Sequence, residues 1–348
     1  MVLFGKKKKK EEDIDHTSRE ASRDKKALAR RRKEPPKTWG RKERLLVLAV
    51  LFITVGASAV LGIYSRGWKL PGLPRLKAPS IKIPFFGEET IVIEGNEEEA
   101  EKARKAKSEF VELTNDYSGV YGLYVVRIVN GSRYGVNEDD VLQAASLIKL
   151  PVMTAMYKEV EEGGLSLETK YKLKREDKVS GAGSLQNKPT GYEITYRELL
   201  RLMGKQSDNT AFNIVKNLLG EDKINEVIKS IGMVNTSLSE NITTPSDIGT
   251  FFEGLYNTNV ISHEHANELL EFLTDTVFES WITAGLPNGT RFAHKFGREL
   301  HVVNDAGIVY SDNPYIVVVM GDKIVEREAD EVIPQISRMV YEIEMGIR

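Results

Sequence analysis

From Leu45 to Tyr64 the chain reads LLVLAVLFITVGASAVLGIY, twenty residues without a charge. As a helix rising 1.5 Å per residue, such a run reaches about 30 Å, the thickness of the hydrocarbon core of a bilayer. A helix buried in a water-soluble domain normally keeps a polar stripe, and this segment has none. The reading is a transmembrane helix that separates a head, 1–44, from the larger part of the chain. The head is crowded with basic residues (Lys6 to Lys10, Lys25, Lys26, Arg30 to Lys33, Arg41, Lys42, Arg44), although the whole chain carries a net charge of only -2. That asymmetry predicts a cytoplasmic N-terminus, and hence a single-pass protein of the cell membrane whose main domain is extracytoplasmic. Arg66, Lys69, Arg75 and Lys77 weaken the bias without reversing it. A cleaved leader ending at Ala57-Ser58-Ala59 is the competing reading. The long basic stretch before the apolar run, and its continuation past Ala59, favour an uncleaved anchor.

The head has few apolar residues, so it is expected to be disordered and drawn to anionic membrane lipid. No aromatic residue interleaves with its basic runs before Trp39, and no nucleic-acid partner is expected. Residues 65–96 form a linker whose Pro-rich part, Pro71 to Pro84, reads as a semi-extended spacer. The chain has no cysteine, which excludes disulfides, thiolate nucleophiles and Cys-ligated metals.

Residues 97–348 are patterned as one domain. Glu97 to Asn115 suits an amphipathic helix. Val120 to Val129 and Arg133 to Val136 suit a strand pair turning at Asn130-Gly131. A helical region runs from Ser146 through about Val260 and on to Leu286. Strands follow at Arg291 to Phe296, Val302 to Tyr310 and Tyr315 to Met320, and Glu328 to Met345 suits a closing helix. Strands at both ends with helices between predict an α+β fold, an antiparallel sheet assembled from distant parts of the chain.

Three polar clusters carry the chemistry. Ser146-Leu147-Ile148-Lys149 places a hydroxyl and an amine three residues apart, on one face of a helix. Serine needs a base to become a nucleophile. A lysine flanked by Leu147, Ile148, Leu150 and Val152 can be desolvated enough to serve as one. Ser146 at a helix start would also have backbone N–H groups ready for a developing oxyanion, and Pro151 fits only near such a start. Alone this motif is weak. Ser207-Asp208-Asn209, at a polar step before a helical run, and Lys295-Phe296-Gly297, at the end of a strand, complete a set.

Ser-x-x-Lys, Ser-Asp-Asn and Lys-Thr-Gly in that order form the signature of class A β-lactamases and penicillin-binding proteins. From about Glu97 to its end the chain resembles the class A β-lactamase-like serine hydrolases, a group that includes D-alanyl-D-alanine peptidases. The resemblance implies their fold, an antiparallel sheet flanked by helices with an all-helical subdomain. It implies Ser146 as acylated nucleophile, Lys149 as base or proton relay, and Ser207 as the shuttle to the leaving nitrogen. Asn209 would bind the substrate's amide side chain, and Lys295 would attract its carboxylate. Gly297 belongs to the substrate-binding edge, and the backbone N–H groups of Ser146 and Arg298 would form the oxyanion hole. Asp208 reads as structural. The loop Ser180 to Ser184 either borders the cleft or is a flexible connector. No cofactor and no metal is implied, and the substrate is a β-lactam or a cell-wall peptide.

The sequence departs from that family pattern twice. Phe296 stands where the family carries Thr or Ser, so a hydroxyl that binds the substrate carboxylate is missing; the Arg298 side chain could compensate, and Phe296 could point into the core. The loop Met233 to Pro245 is far shorter than that of class A β-lactamases, and Glu240 is its only carboxylate. Glu240 is therefore the sole candidate in it for a deacylation base, with an exposed loop charge as the other reading. Without such a base the acyl-enzyme would persist, as in a penicillin-binding protein. A non-catalytic cell-wall-binding module of the same fold is the remaining alternative. His263 and His265 lack the i, i+4 spacing of a helical zinc pair, His294 should face away from Lys295, and Glu299 and Asp305 receive no role from sequence.

Overall fold

The computed structural model describes residues 97–347 and, upstream, Val50, Leu51, residues 53–56 and Ser58. The chain divides into two units, 1–76 and 77–348. In the first, the described residues are helical, and Thr54 Oγ1 donates to Val50 O and Leu51 O at 3.0 Å each. No helix of the described residues is long and apolar enough to cross a membrane. Most of the transmembrane helix expected at 45–64, the head and the spacer lie outside the described residues.

The second unit is built on a five-stranded antiparallel sheet. Its strands are β1 (Val120–Arg127), β2 (Arg133–Val136), β7 (Arg291–Glu299), β8 (Val302–Tyr310) and β9 (Tyr315–Asp322), in the order β2-β1-β9-β8-β7. The pairing of β1 with β9, Leu123 opposite Val319, closes the sheet between the two ends of the domain. Both faces are covered, which explains why β9 reads YIVVVMGD and not as an alternation of apolar and polar residues. Tyr315, Val317 and Val319 pack on one face against α1 (Glu97–Thr114) and α9 (Glu326–Glu344). Ile316, Val318 and Met320 pack on the other, against the helical part.

That helical part contains α2 (Lys149–Glu161), α3 (Tyr196–Gln206), α4 (Asn209–Leu219), α5 (Glu221–Ile231), α6 (Pro245–Tyr256), α7 (His263–Phe272) and the short α8 (Ile282–Gly285). The helical region expected from Ser146 to Leu286 also holds short strands. They form two small ribbons, β6 (Ile242–Thr243) with β3 (Leu142–Gln143), which precedes the region, and β4 (Lys170–Lys172) with β5 (Glu193–Thr195). Ser146 lies in a 3₁₀ turn, Ala145–Ile148, and the α-helix begins only at Lys149. Pro151 is thus the third residue of α2, where its missing N–H breaks no helical bond. The third motif is also placed differently. β7 does not stop at Phe296 but continues to Glu299, because Gly297, Arg298 and Glu299 pair with Asn304, Val303 and Val302.

Candidate active site

The nucleophile segment is fixed from two sides. The backbone N–H of Ala144 donates to Asn241 O at 2.8 Å. On β8, Asn304 Nδ2 donates to Gln143 O at 2.9 Å and Ala144 O at 3.0 Å, while Asn304 Oδ1 accepts the Gly321 N–H at 3.2 Å. Ala145 is held at φ 47°, a left-handed conformation costly for a residue with a Cβ. Such strain persists where the surroundings over-determine it, as they do here.

Lys149 is buried, and its Nζ gathers the first two motifs. It lies 2.9 Å from Ser146 Oγ, 3.1 Å from Ser207 Oγ, 2.7 Å from Ser207 O and 2.8 Å from Asn209 Oδ1. Two of these four atoms, the carbonyl and the amide oxygen, can only accept. A neutral amine has two N–H donors and one lone pair. Once its donors engage those two acceptors, the lone pair is left for a serine O–H. Burial lowers the Lys149 pKa from 10.5 to about 8, against the nearby charges of Asp208 and Glu299, which raise it.

The second motif is a hinge between helices. Ser207 ends α3 with φ 54°, and Asp208 caps α4 by accepting the Ala211 N–H at 2.9 Å. The other Asp208 oxygen accepts the Leu185 N–H at 2.8 Å, so this carboxylate is structural, as expected. The loop 180–184 is tied to the same hinge. Asn209 N donates to Ala182 O at 3.0 Å, and Asn209 Nδ2 donates to Ser180 O at 3.1 Å. At Gly183, with φ +96°, a Cβ would fall 2.1 Å from Asp208 Oδ2. The loop is therefore a fitted wall beside Asn209, not a free connector.

The third motif alternates across β7. Odd residues share the face of Ser146: a Cβ on Gly297 would lie 2.9 Å from Ser146 N and 3.2 Å from Ala145 Cβ. Lys295 shares that parity and is fully buried. Its Nζ donates to Phe296 O at 2.7 Å and sits 4.2 Å from the Phe296 ring centroid. Burial first, and the charge of Lys149 second, hold its pKa well below the ordinary range. Even residues face the opposite way. Phe296 packs on Phe278, with centroids 5.4 Å apart. Arg298 is exposed on that parity and takes part in holding the Glu326 carboxylate below its usual pKa, a shift caused chiefly by the His301 N–H. The Arg298 side chain thus shares the parity of Phe296, the position of the missing hydroxyl, and not that of Lys295. Its backbone is another matter. The His294 N–H leaves β7 for Leu273 O, and Phe296 O accepts Lys295 outside the ladder. With a period of two, the Arg298 N–H emerges from the same free edge.

Glu240 is exposed in the short loop, and its backbone N–H meets Ser237 Oγ at 3.3 Å. The neighbouring Asn241 makes that loop's contact with the nucleophile segment. Sequence reading also missed the charges behind β7. His294 is fully buried, with Nδ1 2.6 Å from Asp305 Oδ1 and Nε2 3.3 Å from Glu279 Oε1. His294 faces away from Lys295 as expected, and Asp305, opposite Phe296 on the neighbouring strand, was the available signal. His265 pairs with Glu161 at 2.7 Å, and the described residues contain no cluster suited to a metal.

Comparison with known proteins bears on the family and the fold. A family model described as the β-lactamase enzyme family matches residues 105–343. β-Lactamase VEB-1 of Pseudomonas aeruginosa is 22% identical over 223 residues, 57% of this chain and 75% of that protein. Among solved structures, PBP-A superposes with a TM-score of 0.65 at 29% identity, covering 69% of this chain and 96% of that one. A β-lactamase from Sphaerobacter thermophilus gives 0.67 at 28%, covering 70% and 98%. A PBP-A variant, solved as an acyl-enzyme complex with penicillin G, gives 0.64 at 28%, covering 71% and 97%.

Proposed function

The chain belongs to the β-lactamase enzyme family, and within it we propose that this protein is a serine acyl-hydrolase that opens β-lactam amides through an acyl-enzyme on Ser146. The observation that carries the reading is the set of contacts around Lys149 Nζ, which leaves its lone pair for a serine hydroxyl. Nζ takes the Ser146 proton as Oγ attacks the amide carbonyl. The oxyanion forms between the N–H groups of Ser146 and Arg298. Ser207 Oγ, 3.1 Å from Nζ, passes the proton to the departing nitrogen. Asn209 contacts the substrate's amide side chain, Gly297 keeps the strand edge close to Ser146, and a substrate carboxylate pairing with Lys295 raises the amine pKa that burial lowers and so draws out its charge. Phe296 offers that carboxylate no hydroxyl.

Incubation with a penicillin should add the mass of the whole molecule, because the opened ring keeps its nitrogen attached. The adduct should map to the peptide containing Ser146. A folded domain that gains no mass, or gains it elsewhere, overturns the reading.

The short loop favours a second reading, a peptidase acting on D-alanyl-D-alanine peptides of the cell wall. Its one carboxylate, Glu240, is exposed, and an acyl-enzyme without a water-activating base would persist. The acyl-enzyme solved for the PBP-A variant is consistent with either.

We further place the catalytic domain outside the cytoplasm. The reading rests on the charge-free run 45–64 and on the basic head before it, which would also engage anionic lipid. Protease added outside intact, wall-stripped cells should then digest residues 97–348 and spare 1–44. Protection of both would refute the anchor.

A further inference from the structure

A carboxylate that no sequence motif marks stands beside the nucleophile segment. Glu299 is the last residue of β7. It has the parity of Lys295 and Gly297, the face that meets Ser146, and lies opposite Val302. It is exposed, so water reaches it. Its Oε1 accepts a hydrogen bond from Asn241 Nδ2 at 3.3 Å. Asn241 is held rigidly for a loop residue. It has φ 54°, and its backbone O accepts the N–H of Ala144, two residues before Ser146. Its remaining side-chain atom, Oδ1, is buried and makes no hydrogen bond among the described residues. A buried amide oxygen without a donor is destabilising, and such exceptions in folded proteins call for an explanation. Glu299 is also close enough for its charge to act on Lys149, although burial is the larger influence on that amine.

We propose that Glu299 is the general base of acyl-enzyme hydrolysis, with Asn241 Oδ1 orienting the attacking water, so that a strand carboxylate supplies what the shortened loop does not. This rests on the acyl-enzyme reading above and decides between its two forms. One water proton hydrogen-bonds to Asn241 Oδ1 and the other passes to the Glu299 carboxylate. The water oxygen bonds to the ester carbon, and the bond from that carbon to Ser146 Oγ breaks. The proton held by Glu299 passes to the neutral Lys149 Nζ, which delivers a proton to the departing Ser146 Oγ, 2.9 Å away, and ends neutral again. In sum one water is consumed, a carboxylic acid leaves and the serine is regenerated. Nothing is oxidised or reduced.

The alternative is that Glu299 only fastens the loop to β7. Glu299→Gln separates the two, because a glutamine oxygen still accepts from Asn241 Nδ2 but cannot take a proton. The full chain and the variant are each acylated with a fluorescent penicillin, freed of excess reagent and followed by intact mass. The expected result is a wild-type adduct that decays and a variant adduct whose lifetime is longer by roughly 10²-fold or more, in line with loss of a general base. Nitrocefin turnover should fall in parallel, and the acylation rate much less. Equal lifetimes in wild type and variant overturn the assignment while leaving the acyl-enzyme reading intact, and so does a wild-type adduct that never decays. A wild-type chain that forms no adduct refutes both, and does so at the first step.

Discussion

Lys149→Met lowers the rate of acylation by a penicillin by roughly 10³-fold, in the range expected for removal of a general base, without unfolding the domain. Methionine keeps an unbranched stem among Leu147, Ile148 and Leu150, so packing is largely preserved. What disappears is the nitrogen that faces four oxygens within 3.1 Å. The pH dependence is the sharper part of the expectation. The reactive form is the neutral amine, and burial lowers the Lys149 pKa to about 8 against the opposing charges of Asp208 and Glu299. At pH 7 about a tenth of the molecules then carry the base in its active form, whereas at 10.5 the fraction would be on the order of one in three thousand. Wild-type acylation should rise about tenfold per unit up to roughly pH 8 and level off above it. Stopped-flow acylation rates measured between pH 5.5 and 9.5 check this. A flat profile, or a Lys149→Met protein that acylates at the wild-type rate, removes Lys149 from the mechanism.

How much of this site was legible beforehand follows from how far each contact reaches along the chain. Ser146 and Lys149 are three residues apart, and helical geometry alone brings them together. The hinge at Ser207 was readable because Asp is a strong N-cap before an apolar run. The assembly of one antiparallel sheet from both ends of the domain was readable, since strands stand at both ends with helices between. The errors share one physical origin. Gly297, Arg298 and Glu299 have little strand propensity, so the strand was expected to end at Phe296. Pairing with β8 carries it on to Glu299, and the extension fixes parity. Arg298 turns away from Lys295, and Glu299 turns toward Asn241, 58 positions earlier in the chain. No local pattern encodes such a contact. It depends on the register of β7 against β8 and on the loop that leads into α6. His294 and Asp305 are likewise 11 residues apart on neighbouring strands, and only the register makes them a pair.

That pair supports the second large effect, His294→Asn, which should destabilise the domain by about 3–5 kcal/mol near pH 6, the cost typical of breaking a buried charge pair. Burial by itself would push the His294 pKa down. The Asp305 and Glu279 carboxylates outweigh it and raise the value from 6.5 to about 9. For Glu279, burial acts upward, but its bonds to His294, Thr283 and Thr276 bring it down to about 2. A histidine whose pKa is raised by folding contributes stability that is complete below its unfolded value of 6.5. That contribution is lost as pH rises toward 9, and it amounts to about 3 kcal/mol at most. The Glu279 contribution has the opposite sign, present above 4.5 and lost as pH falls toward 2. The wild-type melting temperature should therefore decline between pH 7 and 9, beyond any general loss at alkaline pH. In His294→Asn the imidazolium is gone and Asp305, almost wholly buried, loses the cation it is bonded to. The variant should melt on the order of 10 °C lower at pH 6, and the gap should narrow toward pH 9, where most of the wild type's gain from that charge is lost. Thermal unfolding of both proteins across that range provides the check. Parallel pH curves, or melting points within a degree at pH 6, would show that the charge of His294 does not hold β7 and the segment from Thr276 to Thr283 in place behind the site.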